Sequence, residues 1–325
     1  MAFGSTRARL GLASATVAAG MALSGIAAGS ASAAQSLRIL YNPNPTNTTV
    51  VVAQQQGFFA KNGLNVKLIP AESTATLLPA LGKQFDMMTI TPTQLLQATV
   101  TGYKDVLVGS ESIETSKLDS TYLVAKPGIT SVAQLKGQKV GVVDESGALY
   151  ASLVIRLHRA GISATQVKFV PTSFTAMAAA IQSGAIDAAV EIYPFQGQML
   201  GEYHDVNLGN SIEEAVGGVP VMDAGWAATA SWTASHKKVL QEFQKAQNEA
   251  LTWMKANTAK AQALLETSAL GQLPSFVANT YNVAGYVSLQ PKASYLQPWV
   301  GPLYHAGLLK KKLTKAQVTA LVQQG

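Results

Sequence analysis

The fold is decided by residues 167–195, which read VKFVPTSFTAMAAAIQSGAIDAAVEIYPF. An apolar run ends at Pro171, an alanine-rich helical pattern covers Thr175–Gln182, and a second apolar run follows over residues 188–194. Short apolar runs on either side of one helix are typical of two parallel strands joined by a crossover helix. The stretch therefore predicts a strand–helix–strand unit in a sheet that is covered on both faces.

A second copy of this pattern lies about 101 residues earlier, in residues 63–92. There a strand ends at Pro70, a helix is expected over Thr74–Leu81, and Asp86 precedes the next strand. In both copies the proline and the aspartate stand sixteen residues apart. Two copies predict two similar α/β lobes, each a mostly parallel sheet flanked by helices. Because open α/β sheets bind ligands beyond the carboxyl ends of their strands, the site is expected where those ends meet.

The composition excludes several classes of protein. The chain has 325 residues, of which 48% are hydrophobic and 13% charged, so a globular core is expected rather than disorder. It has no cysteine, which excludes disulfides, metal–thiolate sites and cysteine nucleophiles. Four scattered histidines and one short lysine run argue against a histidine metal site and against a nucleic-acid surface. We predict no metal, no cofactor and no catalytic residue.

Residues 1–33 have the features of a secretory signal peptide. The first residues are basic, Leu10–Ala28 is apolar, and Ala31-Ser32-Ala33 supplies the small residues of a cleavage site before Ala34. An uncleaved membrane anchor is the alternative, since the apolar stretch is about long enough to span a bilayer. We therefore expect the mature chain in the periplasm or on the outer face of the membrane, without a lipid-bearing cysteine to hold it there.

Two later strands set the expected domain organisation. Thr121–Ala125 is predicted to carry the chain into the second lobe, and a strand over residues 219–228 to bring it back. Helices are predicted over Ala148–Arg159, with Ser146 as N-cap, and over Val239–Leu265. Prolines are expected to interrupt the helices of residues 272–325. The predicted division is lobe 1 over residues 36–122 and 221–325, the latter with C-terminal helices, and lobe 2 over residues 123–220.

Three stretches carry a family resemblance: Gln56–Val66, Gly82–Asp86 and Ser131–Val142. With them the chain resembles the periplasmic solute-binding proteins of ABC importers, in the group that takes nitrate, sulfonates, taurine and pyrimidine (thiamine) precursors. The resemblance implies a type II periplasmic-binding-protein fold with two hinge crossings. It also implies a monomer that closes on one small-molecule solute and presents it to an ABC permease in the membrane.

Candidate ligand contacts lie at the predicted strand ends. Ser146-Gly147-Ala148 opens a helix, whose amide N–H groups suit an anion. Asn42 and Asn44 end the first strand, where their amides could bind a solute or could simply form a turn. Hydroxyl groups are offered by Thr91, Thr93 and Thr121. Carboxylate or aromatic contacts are offered by Glu191, Tyr193 and Asp223.

These residues leave two kinds of solute open. Amides and hydroxyls suit a sulfonate, taurine or nitrate, which is the leading expectation, whereas Glu191 and Tyr193 suit a pyrimidine or another aromatic solute with an amine. Two other functions were weighed. A pyrimidine-precursor enzyme of the same fold would carry a cysteine-rich motif that this chain lacks, and a soluble partner of a membrane sensor would look the same in sequence.

Overall fold

The computed structural model describes residues 34–74, 76–283 and 289–323. The predicted signal peptide, residues 1–33, lies outside these ranges. Within them, no helix combines the length and apolarity needed to cross a membrane.

The first sheet has five strands in the order β2-β1-β3-β10-β4. Its strands are β1 (Gln35–Tyr41), β2 (Leu64–Pro70), β3 (Met87–Ile90), β4 (Asp105–Glu114) and β10 (Val221–Thr229). β1 runs parallel to both β2 and β3, and β10 runs antiparallel to both β3 and β4. Four of the five strands therefore point the same way, as expected, and β10 alone is reversed.

The second sheet repeats this plan with the order β7-β6-β8-β5-β9. Its strands are β5 (Thr121–Ala125), β6 (Lys139–Val142), β7 (Lys168–Pro171), β8 (Ala188–Ile192) and β9 (Val206–Asn210). Here β5 is the reversed strand, antiparallel to β8 and β9. The chain crosses between the sheets twice, after β4 and before β10, so the two-sheet fold with two crossings is confirmed. The lobe boundaries stay a prediction, and the one after residue 122 falls inside β5.

Helices cover the faces of both sheets. They are α1 (Thr48–Gln55), α2 (Phe58–Lys61), α3 (Pro92–Val100), α4 (Ala148–Arg159), α5 (Phe174–Gln182), α6 (Gln196–Gly201), α7 (Ser211–Val216), α8 (Ala230–Ser235), α9 (Lys237–Ala256), α10 (Thr258–Leu264), α11 (Ser275–Ala278), α12 (Ala293–His305) and α13 (Lys315–Ala320). The predicted bounds of α4 are confirmed. α1 forms although it is rich in β-branched residues, because its valines are buried in the core.

Three predicted helix features were wrong. The helix expected over Thr74–Leu81 is only a short 3₁₀ turn at Leu78–Ala80. Pro79 explains this difference, because a proline is tolerated in the first turn of a helix but not in its interior. The long helix expected over Val239–Leu265 is divided at Asn257 into α9 and α10. Of the four prolines expected to interrupt the C-terminal helices, Pro274 and Pro291 lie outside them, but Pro298 and Pro302 lie inside α12.

β10 is held on both faces of the first sheet. Trp226 is 1% exposed and packs edge-on against Phe243 of α9, with ring centres 5.9 Å apart. On the opposite face, the Trp299 indole N–H of α12 donates to the Met222 carbonyl at 2.9 Å. Burying side chains of this size stabilises the fold by roughly 2–3 kcal/mol each. The residues of β10 between these contacts are therefore rigidly positioned.

Candidate ligand-binding cleft

Residues from both sheets enclose a cavity of about 100 Å³, which adjoins a second cavity of about 320 Å³. We call the two together the cleft. Asn42, Asn44, Glu72, Val143 and Phe174 line both cavities. The rest of the smaller cavity is lined by Thr46, Asn47, Thr74, Thr89, Ile90, Thr91, Gln94, Asp144, Gly147, Ala148, Leu149, Tyr150, Ile192, Asp223 and Ala224. The cleft therefore lies at the strand ends, where the sequence predicted it.

Asp223 reaches the floor of the cleft through an irregularity in β10. Met222 pairs with Ile113 and Ala224 with Ser112, so Asp223 is an extra residue with no partner on β4. At the next register shift, Ala224 pairs with Ser112 and Gly225 with Ser110, so Glu111 of β4 has no partner on β10. Bulges of this kind re-aim side chains and are common beside binding sites.

Burial changes the acid–base behaviour of these carboxyls. Loss of hydration raises the pKa of Asp223 to about 7, although the Ser112 hydroxyl donates to it. Glu111 lies behind Thr89, whose hydroxyl donates to its Oε2 at 2.8 Å, and burial raises its pKa well above the ordinary value. Desolvation likewise raises the pKa of Glu114 to about 8. The negative charge of Asp223 adds to the rise at both glutamates, so the three groups are electrostatically linked.

Asp144 occupies the helix start that was predicted to bind an anion. Its Oδ1 accepts the backbone N–H groups of Ser146 and Gly147, at 2.8 and 2.9 Å, and the Ser146 hydroxyl at 2.8 Å. Gly147 rather than Ser146 is the N-cap of α4, and its side chain cannot cap, so the prediction for Ser146 was wrong. Ala148 begins the helix and lines the cleft beside Gly147. A carboxylate at a helix N-terminus is favourable, and here the protein supplies it from its own chain.

The described lining of the cleft is acidic. It includes the carboxyl groups of Glu72, Asp144 and Asp223, and no lysine, arginine or histidine belongs to it. An anionic solute would therefore meet like charges with no cation beside them, which is unfavourable in a partly buried site.

The asparagines at the end of β1 make mainly local bonds. The amide nitrogen of Asn42 donates to the Ala71 and Glu72 carbonyls, at 2.8 and 3.2 Å. The Asn44 side-chain oxygen caps the next turn by accepting the Thr46 N–H at 3.0 Å. Asn47, which the sequence did not single out, is different: it is 1% exposed, and its Oδ1 has no hydrogen-bond partner. The Oδ1 of Asn47 is thus a buried acceptor left for a solute.

Two of the candidate threonines hold the cleft together. Thr91 lines the cleft and caps α3 through a reciprocal pair of bonds with Gln94. Thr93 is fully buried, and its hydroxyl donates across the cleft to the Ser146 carbonyl at 3.2 Å. The Ser73 hydroxyl makes a similar crossing to Asp144 Oδ2 at 3.3 Å. The polar contacts of these side chains therefore link the two sides of the cleft.

Thr93 and Ser146 do not line the cleft themselves, and three further candidates also lie outside its lining. Thr121 is fully buried where the chain crosses, and its hydroxyl donates to Glu114 at 2.5 Å. Glu191 is buried in β8 and accepts the backbone N–H of Ile192. Tyr193 lines a separate hollow, and its hydroxyl donates to the Thr280 carbonyl. The structure does not bring these residues together with Asp223 at the cleft, and a direct role for them in binding remains only a sequence prediction.

The second sheet supplies an apolar wall that sequence reasoning missed. Tyr150, Phe174 and Ile192 line the cleft, and Tyr150 meets Phe169 edge to face at 5.0 Å. Phe174 stacks on Phe195 with ring centres 5.9 Å apart. Both aromatic residues lie in the first turn of helices that follow strands of the second sheet, which is the signal that could have found them. The cleft thus has a polar acidic floor and an aromatic wall.

Comparison with solved structures shows the same fold in binding proteins. The sulfonate-binding protein SsuA of Xanthomonas axonopodis pv. citri, bound to MOPS, aligns at 18% identity and a TM-score of 0.71, over 89% of this chain and 98% of that one. SsuA of Escherichia coli aligns at 20% identity and 0.69, over 89% and 93%. The nitrate-binding protein NrtA of Synechocystis PCC 6803 aligns at 14% and 0.71, over 89% and 86%. At these identities the likeness establishes the fold.

Comparisons of sequence give one partial relative and one family model. A Haemophilus influenzae protein named for thiamine biosynthesis is 33% identical over 148 residues, which is 45% of this chain; the match spans just under half, 46%, of that relative. The family model described as NMT1/THI5 like matches residues 44–261. That range contains both copies of the repeated strand–helix pattern. The chain therefore belongs to the NMT1/THI5-like family.

Proposed function

We propose that the chain is the solute-binding component of an ABC import system and that its cleft closes on one small, flat solute carrying amino groups. The observation that carries this proposal is the pairing of an acidic floor with an aromatic wall across one cleft. Family membership and the fold shared with sulfonate- and nitrate-binding proteins support the binding role. The relative named for thiamine biosynthesis supports a nitrogen heterocycle such as an aminopyrimidine.

The floor of the cleft favours an amine over the anion that the sequence suggested first. Asp144 already accepts the amides of Ser146 and Gly147, which an oxyanion would otherwise use. Asp223 and the free Oδ1 of Asn47 are acceptors, and acceptors bind N–H groups. A hydrogen bond from an amine to a charged carboxylate contributes about 1.5–3 kcal/mol.

The wall favours a planar ring. Tyr150 and Phe174 present aromatic surface to the same space that Asp223 reaches. Stacking on such a ring contributes about 0.5–1.5 kcal/mol beyond burial of its area. The smaller cavity, at about 100 Å³, suits a compact solute rather than a peptide or a sugar chain.

Clamp closure follows from the bonds that cross the cleft. Ser73 and Thr93 link the two sides through Asp144 and Ser146, and a solute between the sheets would add contacts that only the closed form can make. Binding would then shift the population toward the closed form. A permease in the membrane would recognise that form, and the protein would act as a monomer outside the cytoplasm, where the predicted signal peptide delivers it.

A thermal-shift and calorimetric panel tests this proposal. We expect 4-amino-5-hydroxymethyl-2-methylpyrimidine to raise the melting temperature and to bind with measurable heat, whereas taurine, methanesulfonate and nitrate do not. Mass spectrometry should recover the pyrimidine unchanged, because no catalytic step is proposed. Stabilisation by taurine or nitrate alone, or conversion of the pyrimidine, would contradict the proposal.

Phe174→Ala checks that binding uses the aromatic wall. Removing the ring should weaken pyrimidine binding by more than about tenfold, because a stacked, buried ring contributes more than about 1.4 kcal/mol. Phe276 is the matched control, since it is 57% exposed and does not line the cleft. Phe276→Ala should bind as the unchanged protein does. Equal affinity of both variants for the pyrimidine would show that the aromatic wall does not contribute to binding.

A further inference from the structure

Asp223 lines the floor of the cleft, and a second buried carboxyl, Glu111, lies on the paired strand β4 behind Thr89. Successive register shifts between β10 and β4 leave Asp223 and Glu111 without cross-strand partners. Asp223 is 6% exposed and Glu111 is 1% exposed. Their bonds come from the neutral hydroxyls of Ser112 and Thr89, and Glu111 Oε1 has no partner at all. No positive charge compensates the pair within the described contacts.

Physical chemistry restricts the charge of such a pair. Two nearby carboxyls in a site of low polarity cannot both ionise without a large penalty, so one of them keeps a proton. Burial has already raised the pKa of Asp223 to about 7, and the charge of Asp223 raises the pKa of Glu111 further. At neutral pH the empty cleft therefore holds at least one protonated carboxyl.

An independent feature of the same cavity calls for a ligand that donates hydrogen bonds. Asn47 lines the cavity with Asp223 and Thr89, is 1% exposed, and has an Oδ1 without a partner. An unsatisfied buried acceptor costs about 1–3 kcal/mol, which a donor from a solute would recover. A solute nitrogen that carries hydrogens could donate hydrogen bonds both to this acceptor and to the carboxyl pair.

The other ionisable groups around the pair leave this charge balance intact. Glu114 lies farther along β4, and Glu72, Asp144 and Tyr150 line the cavity. Among the helices packed against β10, α9 meets it through Phe243 and carries its charged side chains at partly or fully exposed positions, namely Lys237, Lys238, Glu242, Lys245, Glu249 and Lys255. Of the other helices, α3 and α8 carry no charged side chain, and the remaining two are α7 and α12. The ionisable groups of the last two are Glu213, Glu214, Tyr295, Tyr304 and His305. The basic groups among these are the lysines of α9 and the exposed His305 at the end of α12, and none of them lines the cleft.

We propose that Asp223 and Glu111 act as one proton-sharing pair that selects solutes with a positively charged nitrogen. The empty pair holds a proton, and a bound cation takes the place of that proton, which leaves to solvent. The net charge of the floor is then the same before and after binding. The inference rests on the proposed binding function, and it adds the charge state of the preferred solute and a dependence of affinity on pH.

Calorimetry with two probes of equal shape tests the selection. 4-Aminopyridine is a cation at neutral pH, and aniline is its neutral counterpart. We expect 4-aminopyridine to bind at least about tenfold more tightly than aniline at about pH 8, and its affinity to fall about tenfold on going to about pH 6. Titrations in buffers of different ionisation enthalpy should show release of roughly half a proton or more per cation bound near neutral pH.

Isosteric variants separate the pair from a purely structural role. Asp223→Asn should weaken cation binding more than about tenfold and leave aniline within about threefold. Glu111→Gln removes the second ionisable group, so proton release on cation binding at about pH 8 should disappear, whereas the loss of affinity below about pH 7, which burial of Asp223 alone sets, should remain. Glu145→Gln is the control, since Glu145 is exposed and outside the lining, and it should keep the full pH profile.

The outcomes distinguish failure of this inference from failure of the proposed function. If 4-aminopyridine, aniline and the aminopyrimidine all fail to bind, the proposed function is overturned and the inference with it. Binding of 4-aminopyridine and aniline with equal affinity and no pH dependence would overturn only the inference. If either variant fails to fold, carbon-13 NMR of the unchanged protein still decides, because all carboxyl groups ionised at neutral pH in the empty protein would refute a shared proton.

Discussion

Asp144→Ala tests whether the protein's own carboxylate keeps anions out of the cleft. The substitution removes three hydrogen bonds to Oδ1: from the Ser146 N–H at 2.8 Å, from the Ser146 hydroxyl at 2.8 Å and from the Gly147 N–H at 2.9 Å. It also removes the bond from Ser73 across the cleft. Because the site is half-buried, water can replace part of this network, so the loss should resemble that of a helix cap, about 1–2 kcal/mol.

That loss corresponds to a fall in melting temperature of roughly 2–8 °C for a domain of this size. The freed amides at the start of α4 should then accept an added anion, since a helix N-terminus attracts negative charge. Methanesulfonate at millimolar concentration should therefore restore part of the lost stability in the variant and do nothing for the unchanged protein. Differential scanning calorimetry with and without methanesulfonate measures both effects.

Glu145→Ala is the matched control, because Glu145 is the exposed neighbour of Asp144. It should change the melting temperature by less than about 2 °C and should not respond to methanesulfonate. An unchanged melting temperature in Asp144→Ala would show that the carboxylate does not support α4. Equal stabilisation of the unchanged protein by methanesulfonate would show that the helix start is open to anions after all.

Three further predictions concern stability. Glu114→Gln should stabilise the protein by a few kcal/mol at about pH 9 and much less at about pH 5. The pKa of Glu114 is about 8 in the folded state and about 4.5 in the unfolded chain, so the unchanged protein loses stability as the pH rises between these values. Urea unfolding that shows the same pH dependence in both proteins would refute this. Asp86→Asn should cost about 1–2 kcal/mol, because Asp86 accepts both the guanidinium of Arg38 at 2.7 Å and its backbone N–H at 2.8 Å; an unchanged urea midpoint would count against it. Gly225→Ala should lose at least about 1–3 kcal/mol, because its new Cβ would lie 2.6 Å from the Gly109 carbonyl oxygen, whereas Gly197→Ala meets nothing within 4 Å and should be neutral or stabilising by thermal denaturation.

The parts of the fold that the sequence predicted are those with a local signal. Apolar runs joined by a helix predicted the strand–helix–strand unit that ends in β8, and the two equivalent sheets confirm the repeat. α4 begins and ends where its leucine spacing placed it. The first copy of the repeat lacks its helix, since Pro79 cannot lie in a helix interior, and this local signal was available but was outweighed by the symmetry of the pattern.

The site was only partly predictable, because its chemistry depends on register. The sequence of Val221–Thr229 does not indicate that Asp223 is unpaired, because the bulge is defined by how this strand pairs with β4. Glu111 looks like any polar residue of a strand until Thr89 is placed beside it. Asp144 could have been recognised: an aspartate two residues before a Ser-Gly pair at a helix start is well placed to accept those amides itself. That signal was overlooked in favour of an external anion.

The carboxyl groups at the cleft come from two kinds of structure, a loop and a pair of strands, and they differ in how easily mutation can change them. Asp144 belongs to a loop, so a single exchange there could make the pocket receptive to oxyanions without moving any strand. Asp223 and Glu111 instead lie within the paired strands β10 and β4, at the shifts in their register. Deleting one residue from β10 would move its neighbours, Trp226 included, to the opposite face of the sheet. A point mutation at Asp144 could therefore admit anions, whereas the proposed selection of basic solutes depends on the register of two strands and would be harder to change.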